Sequence, residues 1–265
     1  IVHVLRCFED SDVTHVEGGI DPLRDAETVE TELMLADLDS LEKRVDNLTK
    51  KARGQDKEAI AQLDLVKRSI EALSSGKPAR TIARRDEEEE AFKALQLITA
   101  KPVLYVCNVE ESAAGTGNAL SKKVEAKAKA ENAVAVAISA KIEAEIAMLP
   151  LSERKEFLDA AGLAEPGLDR LIRKGYELLG LITYFTAGPK EARAWTIVKG
   201  MKAPQAAGVI HTDFEKGFIR AETIAFADYV ACNGEAGARE AGKLRLEGKD
   251  YVVQDGDVMH FRFAN

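Results

Sequence analysis

Two short polar stretches, each closing an apolar run, hold the side chains best suited to chemistry. Lys101-Pro102-Val103-Leu104-Tyr105-Val106-Cys107 stops at Asn108-Val109-Glu110-Glu111, and Ala133-Val134-Ala135-Val136-Ala137-Ile138 stops at Ser139-Ala140-Lys141. An amide and a carboxylate three positions apart offer a donor and several acceptors, the combination that reads the edge of a nucleotide base. The Asn-X-X-Glu tetrapeptide is common, and a turn that merely caps a strand accounts for it equally well when it stands alone.

The elements that must position these residues follow from the pattern. An apolar run rich in β-branched and aromatic residues, opened by Pro102 and closed by polar residues, fits a strand buried on both faces of a parallel sheet, whose carboxyl end is where such sheets bind ligands. The Lys/Ala/Glu-rich segment that runs to about Glu131 fits a helix, so strand, helix and strand form a parallel crossover. Ile1-Val2-His3-Val4-Leu5 reads as another buried strand, with His3 as a core histidine. A strand without a lead-in suggests that the chain starts inside a domain.

From Asp21-Pro22 a helix with acidic first turns is predicted. Met34, Leu38, Leu41, Val45 and Leu48 share one stripe. After Gly54, Ile60, Leu63, Val66, Ile70 and Leu73 repeat the spacing, which predicts an antiparallel hairpin of two helices of similar length, closed by Ser74-Ser75-Gly76-Lys77-Pro78. Asp86-Glu87-Glu88-Glu89-Glu90 reads as a solvated charge run before a short helix that turns Phe92, Leu95 and Ile98 inward. Helices are expected at Lys141 to Met148, Ser152 to Ala161 and Leu168 to Leu179. Beyond them the texture becomes β-rich, with strands expected at Leu181–Phe185, Ala194–Val198, Ala225–Val230, Lys249–Val253 and Val258–Phe263.

The 265 residues, 46% hydrophobic and 31% charged, suit a globular chain with a sizeable core, and the net charge of −8 argues against a nucleic-acid-binding surface spread over the whole molecule. No apolar run approaches ~20 residues, so no membrane helix is expected. Cys7, Cys107 and Cys232 are odd in number and far apart, which suits reduced thiols in a cytoplasmic protein and neither a disulfide framework nor a metal cluster.

Asn108-Val109-Glu110-Glu111 followed by Ser139-Ala140-Lys141 resembles the base-recognition half of a P-loop GTPase-type fold, in which Asn-Lys-X-Asp and Ser-Ala-Lys motifs surround the base. Val109 stands in place of Lys and Glu111 in place of Asp, and the longer carboxylate speaks against guanine. With His3-Val4-Leu5-Arg6-Cys7-Phe8-Glu9, Glu32-Leu33-Met34-Leu35-Ala36-Asp37-Leu38, Tyr184-Phe185-Thr186-Ala187-Gly188, Arg193-Ala194-Trp195-Thr196-Ile197 and Ile210 to Ala221, the chain resembles the YchF/Obg-like ATPase family over essentially its whole length, without the opening segment that full-length members carry. The resemblance implies an α/β fold: a partial P-loop NTPase parallel sheet (1–20 and 86–180) with an inserted α-helical hairpin (21–85), followed by a β-grasp TGS domain (181–265).

The resemblance further implies ATP hydrolysis in preference to GTP, Mg2+ as cofactor, and association with ribosomes, the large subunit foremost. Asn108, Val109 and Glu111 fall on the family's altered base motif, Val109 acting through its backbone, and Ser139, Ala140 and Lys141 on the loop that closes over the base. His15 falls on the histidine thought to place or activate the attacking water. No Gly-X-X-X-X-Gly-Lys-Ser/Thr loop occurs in these residues, and no Asp-X-X-Gly switch motif follows a strand. The chain by itself is therefore expected to be inactive, with the Mg2+ ligands elsewhere in the intact protein. His211, Lys216 and Arg220, near Phe214 and Phe218, are candidates for RNA contact through the TGS domain, the aromatics reading better as core. The alternative is a non-catalytic ribosome- or RNA-binding module made of the hairpin and the TGS domain.

Overall fold

The computed structural model of the chain describes residues 1–10, 19–189 and 191–264. They form two compact units, Ile1–Lys174 and Gly175–Asn265.

In the first unit β1 (Val2–Arg6) precedes the helical hairpin α1 (Pro22–Arg53) and α2 (Lys57–Ser74). A short helix α3 (Glu89–Ala94) leads to β2 (Leu104–Asn108). Then follow α4 (Ala119–Ala130), β3 (Val134–Ile138), α5 (Ala140–Met148), α6 (Arg154–Ala160) and α7 (Gly167–Leu178), whose last turn belongs to the second unit. The strands lie parallel in the order β1-β2-β3, with Arg6, Asn108 and Ile138 in register at their carboxyl ends. As expected of a central strand, Leu104 to Cys107 are buried throughout. On one side of the sheet Leu5, Cys7, Tyr105 and Cys107 pack with Ala26 of α1 and Val124 and Ala128 of α4.

The first strand differs from its expected burial. Leu5 and Cys7 are buried, but Val2 and Val4 are 59% and 64% exposed. Among the described residues β1 pairs only with β2, so it is an edge strand with one covered face. His3 is half-buried beside Tyr105, ring centroids 5.8 Å apart, and burial pushes its imidazole pKa down.

The hairpin is asymmetric. The side chain of Asp21 caps α1 by accepting from Leu23 N and Arg24 N, Pro22 fills the first turn, and Lys50, Lys51 and Arg53 suit its C-terminal end. It has 32 residues against 18 in α2, because its first turns pack on the sheet through Ala26 and only the later ones, with Met34 and Leu41, face α2. In α2 the buried positions are Ala59, Leu65, Val66, Ser69 and Leu73, whereas Ile60 is 49% exposed. Asp37 of α1 is buried and fixes the approach to β2. Its carboxylate accepts from Ile98 N (2.7 Å), Thr99 N (2.8 Å) and Thr99 Oγ1 (2.7 Å), and Thr99 Oγ1 accepts from Ala79 N at 3.0 Å. Here Leu97, not Ile98, joins Phe92 and Leu95 in the core, since α3 ends at Ala94 and Gln96 takes φ 56°. The acidic run is not wholly solvated: Glu88 is buried and accepts from Arg85 N, from the Arg85 guanidinium and from Arg68 Nη2.

The second unit contains β4 (Leu181–Ala187), β5 (Ala192–Val198), α8 (Ala203–Ile210), α9 (Thr212–Lys216), β6 (Phe218–Ala225), α10 (Phe226–Ala231), α11 (Glu235–Glu240), β7 (Arg245–Glu247) and β8 (Asp257–Phe263). Its mixed sheet has the order β5-β4-β8-β6-β7, with β4 and β8 parallel and the other pairs antiparallel. Ala203, Ala206 and Ala207 of α8 pack against Tyr184, Phe218, Ala221, Met259 and Phe261, a β-grasp arrangement. Two expected strands are different. Residues Phe226–Ala231 are helical, with Phe226 against Phe185 at 5.5 Å, and the strand lies just before them in β6. Residues 249–253 form a turn whose ties run to the start of α8, Ala203 N donating to Tyr251 O and Val253 N to Met201 O, and only Val252 bridges to Lys202.

Candidate nucleotide-base site

Asn108 terminates β2 between two strand ends. Its carbonyl accepts from Cys7 N at 2.8 Å on the β1 side. Its side-chain Oδ1 accepts from Ala140 N at 2.9 Å on the β3 side. Val109, 3% exposed, follows into the core and its N donates to Ile138 O at 2.9 Å. The two sequence stretches are thus one structure, laced by a backbone and a side-chain hydrogen bond. Ser139 is buried at the head of α5. Glu111 and Lys141, both largely exposed, form an ion pair across the gap between the loops, and this carboxylate raises the Lys141 pKa.

Residues outside the two motifs hold this pair of loops in place. Asn118 caps α4, its Oδ1 accepting from Leu120 N (3.0 Å) and Ser121 N (2.9 Å). Its Nδ2 donates to Cys7 O (2.6 Å) and Glu110 Oε2 (2.8 Å), so one amide joins the end of β1, the loop after β2 and the start of α4. Gly117 approaches Ser121 closely at φ +68°, where a Cβ would come within 2.5 Å of Ser121 Oγ. Arg170 Nη2 donates to Ala114 O at 2.7 Å. Glu143, two residues after Lys141, accepts from Gly167 N (2.7 Å) and Leu168 N (3.1 Å), capping α7. The Asn before Ala119-Leu120-Ser121, after two glycines, carries a legible helix-cap signal; the reach of its amide to Cys7 and Glu110 does not show in sequence.

The remaining candidates lie apart. His15 is outside the described residues. His211 caps α9 with Nδ1, accepting from Asp213 N at 3.2 Å. With Lys216, Ile210, Phe214 and Phe263 it lines an open cleft of about 1040 Å3. Phe214 stacks on Phe263 at 3.9 Å, while Phe218 is core. Arg220 projects from the other face of the sheet, across from Arg262. Among the described residues no group of three or more His, Cys, Asp or Glu could hold a metal ion, and no helix is long and apolar enough to cross a membrane. Cys7 and Cys107 are buried and free, and Cys232 is free and half-buried.

Three parallel strands, with a base-type loop after the central one tied to a Ser-Ala-Lys loop after the next, define the class: a nucleotide-binding α/β fold of the P-loop NTPase type. Residues 181–264 match the family model YchF-GTPase_C, described as a protein of unknown function. Over 265 residues the chain is 52% identical to the ribosome-binding ATPase YchF of Bacillus subtilis (strain 168), covering 99% of this chain and 72% of that protein. The chain belongs to the YchF family. The Haemophilus influenzae protein of the same name is 54% identical over 263 residues, with the same coverage. The structure of the Schizosaccharomyces pombe YchF GTPase matches with a TM-score of 0.83 at 33% identity, over 98% of this chain and 71% of that one. A GTP-binding protein from Pyrococcus horikoshii OT3 shares the fold at 20% identity, with a TM-score of 0.61 over 99% of this chain and 78% of that one.

Proposed function

We propose that the chain is the base-recognising part, with the helical hairpin and a TGS domain, of a cytoplasmic ribosome-associated ATPase that docks on the large subunit. The observation that carries the reading is the Asn108 Oδ1 bond to Ala140 N, which joins the loops at the carboxyl end of the sheet, as a base pocket requires. It is supported by the identity to proteins named ribosome-binding ATPase.

The donor set suits adenine. With Oδ1 committed to Ala140, the Asn108 Nδ2 is left to donate to a ring acceptor. The Glu111 carboxylate accepts from an exocyclic amino group once Lys141 turns aside, and Val109, whose N is engaged by Ile138 O, offers its carbonyl. Ser139, Ala140 and Lys141 form the wall over the ring. On this reading the phosphate loop and the Mg2+ ligands belong to sequence outside these residues, and His15 places the attacking water by hydrogen bonding near neutral pH.

Calorimetric titration and turnover assays of the intact protein test this. ATP is expected to bind more tightly than GTP, and His15→Ala to remove turnover while leaving ATP affinity within about twofold, since a group that meets only the nucleophile contributes little to ground-state binding. Tighter GTP binding would refute the role of Glu111, and full turnover by His15→Ala would refute that of His15.

A further inference from the structure

The loops that follow β2 and β3 are both tied to the first turn of α7. The first of them makes a single 3-10 turn from Glu111 to Ala113, and Ala114 closes it, its N–H donating to Glu111 O at 3.2 Å. The carbonyl of the same Ala114, 2% exposed, accepts from Arg170 Nη2 at 2.7 Å. The second loop passes into α5, where Glu143 accepts from Gly167 N at 2.7 Å and Leu168 N at 3.1 Å. Arg170 stands about one helical turn beyond Gly167. One turn of α7 therefore holds the Glu111 loop through a guanidinium and the Lys141 loop through a carboxylate.

This bracket has little slack. A Cβ at Gly167 would fall 2.8 Å from Glu143 Oε1 and 2.9 Å from Ile138 Cγ2, so the helix is seated directly on the last residue of β3. Ala114, Ile142 and Leu163 meet in one apolar cluster that joins the two loops to the approach to α7. Stability alone does not account for Arg170. Its Nε is buried and, among the described residues, has no hydrogen-bond partner, and an unmet buried donor costs free energy that an apolar side chain of similar length would not. What the guanidinium supplies is a charged, directional bond that fixes where one carbonyl lies.

That carbonyl closes the turn which begins at Glu111, so its position sets the reach of the Glu111 carboxylate. A carboxylate selects a base by the ring donors it meets, and a hydrogen bond weakens steeply once distance or angle slips. Guanine presents two adjacent donors on that edge, adenine its exocyclic amino group alone. A loop free to draw back would let the longer Glu side chain meet the guanine pair as an Asp does. We propose that Arg170 and Glu143 are positioning residues for base selection: through α7 they hold Glu111 at the separation from Ser139-Ala140-Lys141 that fits adenine. The proposal rests on the adenine reading above.

Affinities of the intact protein for ATP and for GTP are measured by calorimetry, and their ratio is the readout, since a general loss of stability lowers both by one factor. Arg170→Met keeps the length of the side chain and loses the bond, and is expected to lower the preference for ATP about tenfold. Arg170→Lys, whose ammonium can donate to Ala114 O, is expected to stay within about threefold of wild type. Arg173→Met removes the same charge one turn further along α7, from a guanidinium paired with Glu165 at 2.9 Å, and should leave the ratio unchanged. Glu143→Gln puts an amide N–H in place of one of the two acceptors, so it should lower the ratio from the other loop, and it serves if Arg170→Met does not fold.

A ratio unchanged in Arg170→Met, or in Glu143→Gln where that variant stands in, would overturn the positioning role and leave the adenine reading standing, provided that wild type prefers ATP. An equal fall in Arg173→Met would mark a mere charge effect and overturn it as well. A wild-type protein that binds GTP as tightly as ATP would overturn the adenine reading and the positioning role together.

Discussion

Asn118 is the amide on which the loop after β2 hangs, and its four side-chain hydrogen bonds divide into two pairs. Oδ1 caps α4, worth about 1 kcal/mol. Nδ2 holds Cys7 O and Glu110 Oε2, at about 1 kcal/mol each because Glu110 is exposed and solvent weakens the charged bond. Asn118→Ser keeps an oxygen that can cap the helix and loses both Nδ2 bonds, so it is expected to destabilise by about 2 kcal/mol, and Asn118→Ala, which loses all four, by about 3 kcal/mol. The test is amide hydrogen exchange read residue by residue. In Asn118→Ser the amides of Val109, Ala113 and Ala114, which donate to Ile138, Glu110 and Glu111 carbonyls, should exchange about 30-fold faster, while those in the middle of α4 stay protected. Asn118→Ala should loosen both. If Asn118→Ser leaves those three amides within about twofold of wild type, the Nδ2 bonds do not hold the loop.

Two further substitutions test how the sheet and hairpin are supported. Asp37→Ala strands the backbone N–H groups of the half-buried Ile98 and the buried Thr99. It should cost about 3 to 5 kcal/mol in urea unfolding, and a loss under about 1 kcal/mol would show that the loop finds other partners. Glu88 is held down from 4.5 to about 2 by the Arg85 backbone N–H, then by the Arg85 and Arg68 guanidiniums. A depressed carboxylate stabilises the fold above its unfolded pKa and loses that contribution as pH falls through the folded one. Melting temperatures of wild type and Glu88→Gln should therefore differ most near neutral pH and converge between pH 4.5 and about 2. A gap that stays constant down to the lowest of these values would refute the linkage.

Sequence patterning reached the central strand, the crossover and both loops because each rests on short-range signals: Pro102 opening an apolar run, Asn108 and Ser139 closing two. It failed where long-range contacts decide. Phe226-Ala227-Asp228-Tyr229-Val230 has strand-like composition, yet it is helical, with the Phe226 ring set against Phe185 and its N–H donating to Gly256 O. That Asn108-Val109 and Ser139-Ala140-Lys141 follow neighbouring strand ends was legible. The bracing by Asn118, Glu143 and Arg170 joins positions far apart in the chain, which no local spacing encodes.

Because α1 is a single helix that starts against the sheet at Ala26 and continues into the hairpin, it is mechanically a lever with its pivot beside the base-loop strands. From Ala26 to Arg53 the arm is about 40 Å long at 1.5 Å per residue. A rotation of about 5° at the sheet carries its tip through about 3.5 Å. A small rotation at the sheet is thus multiplied into a displacement at the hairpin tip as wide as a side-chain contact, with no hinge needed along the helix.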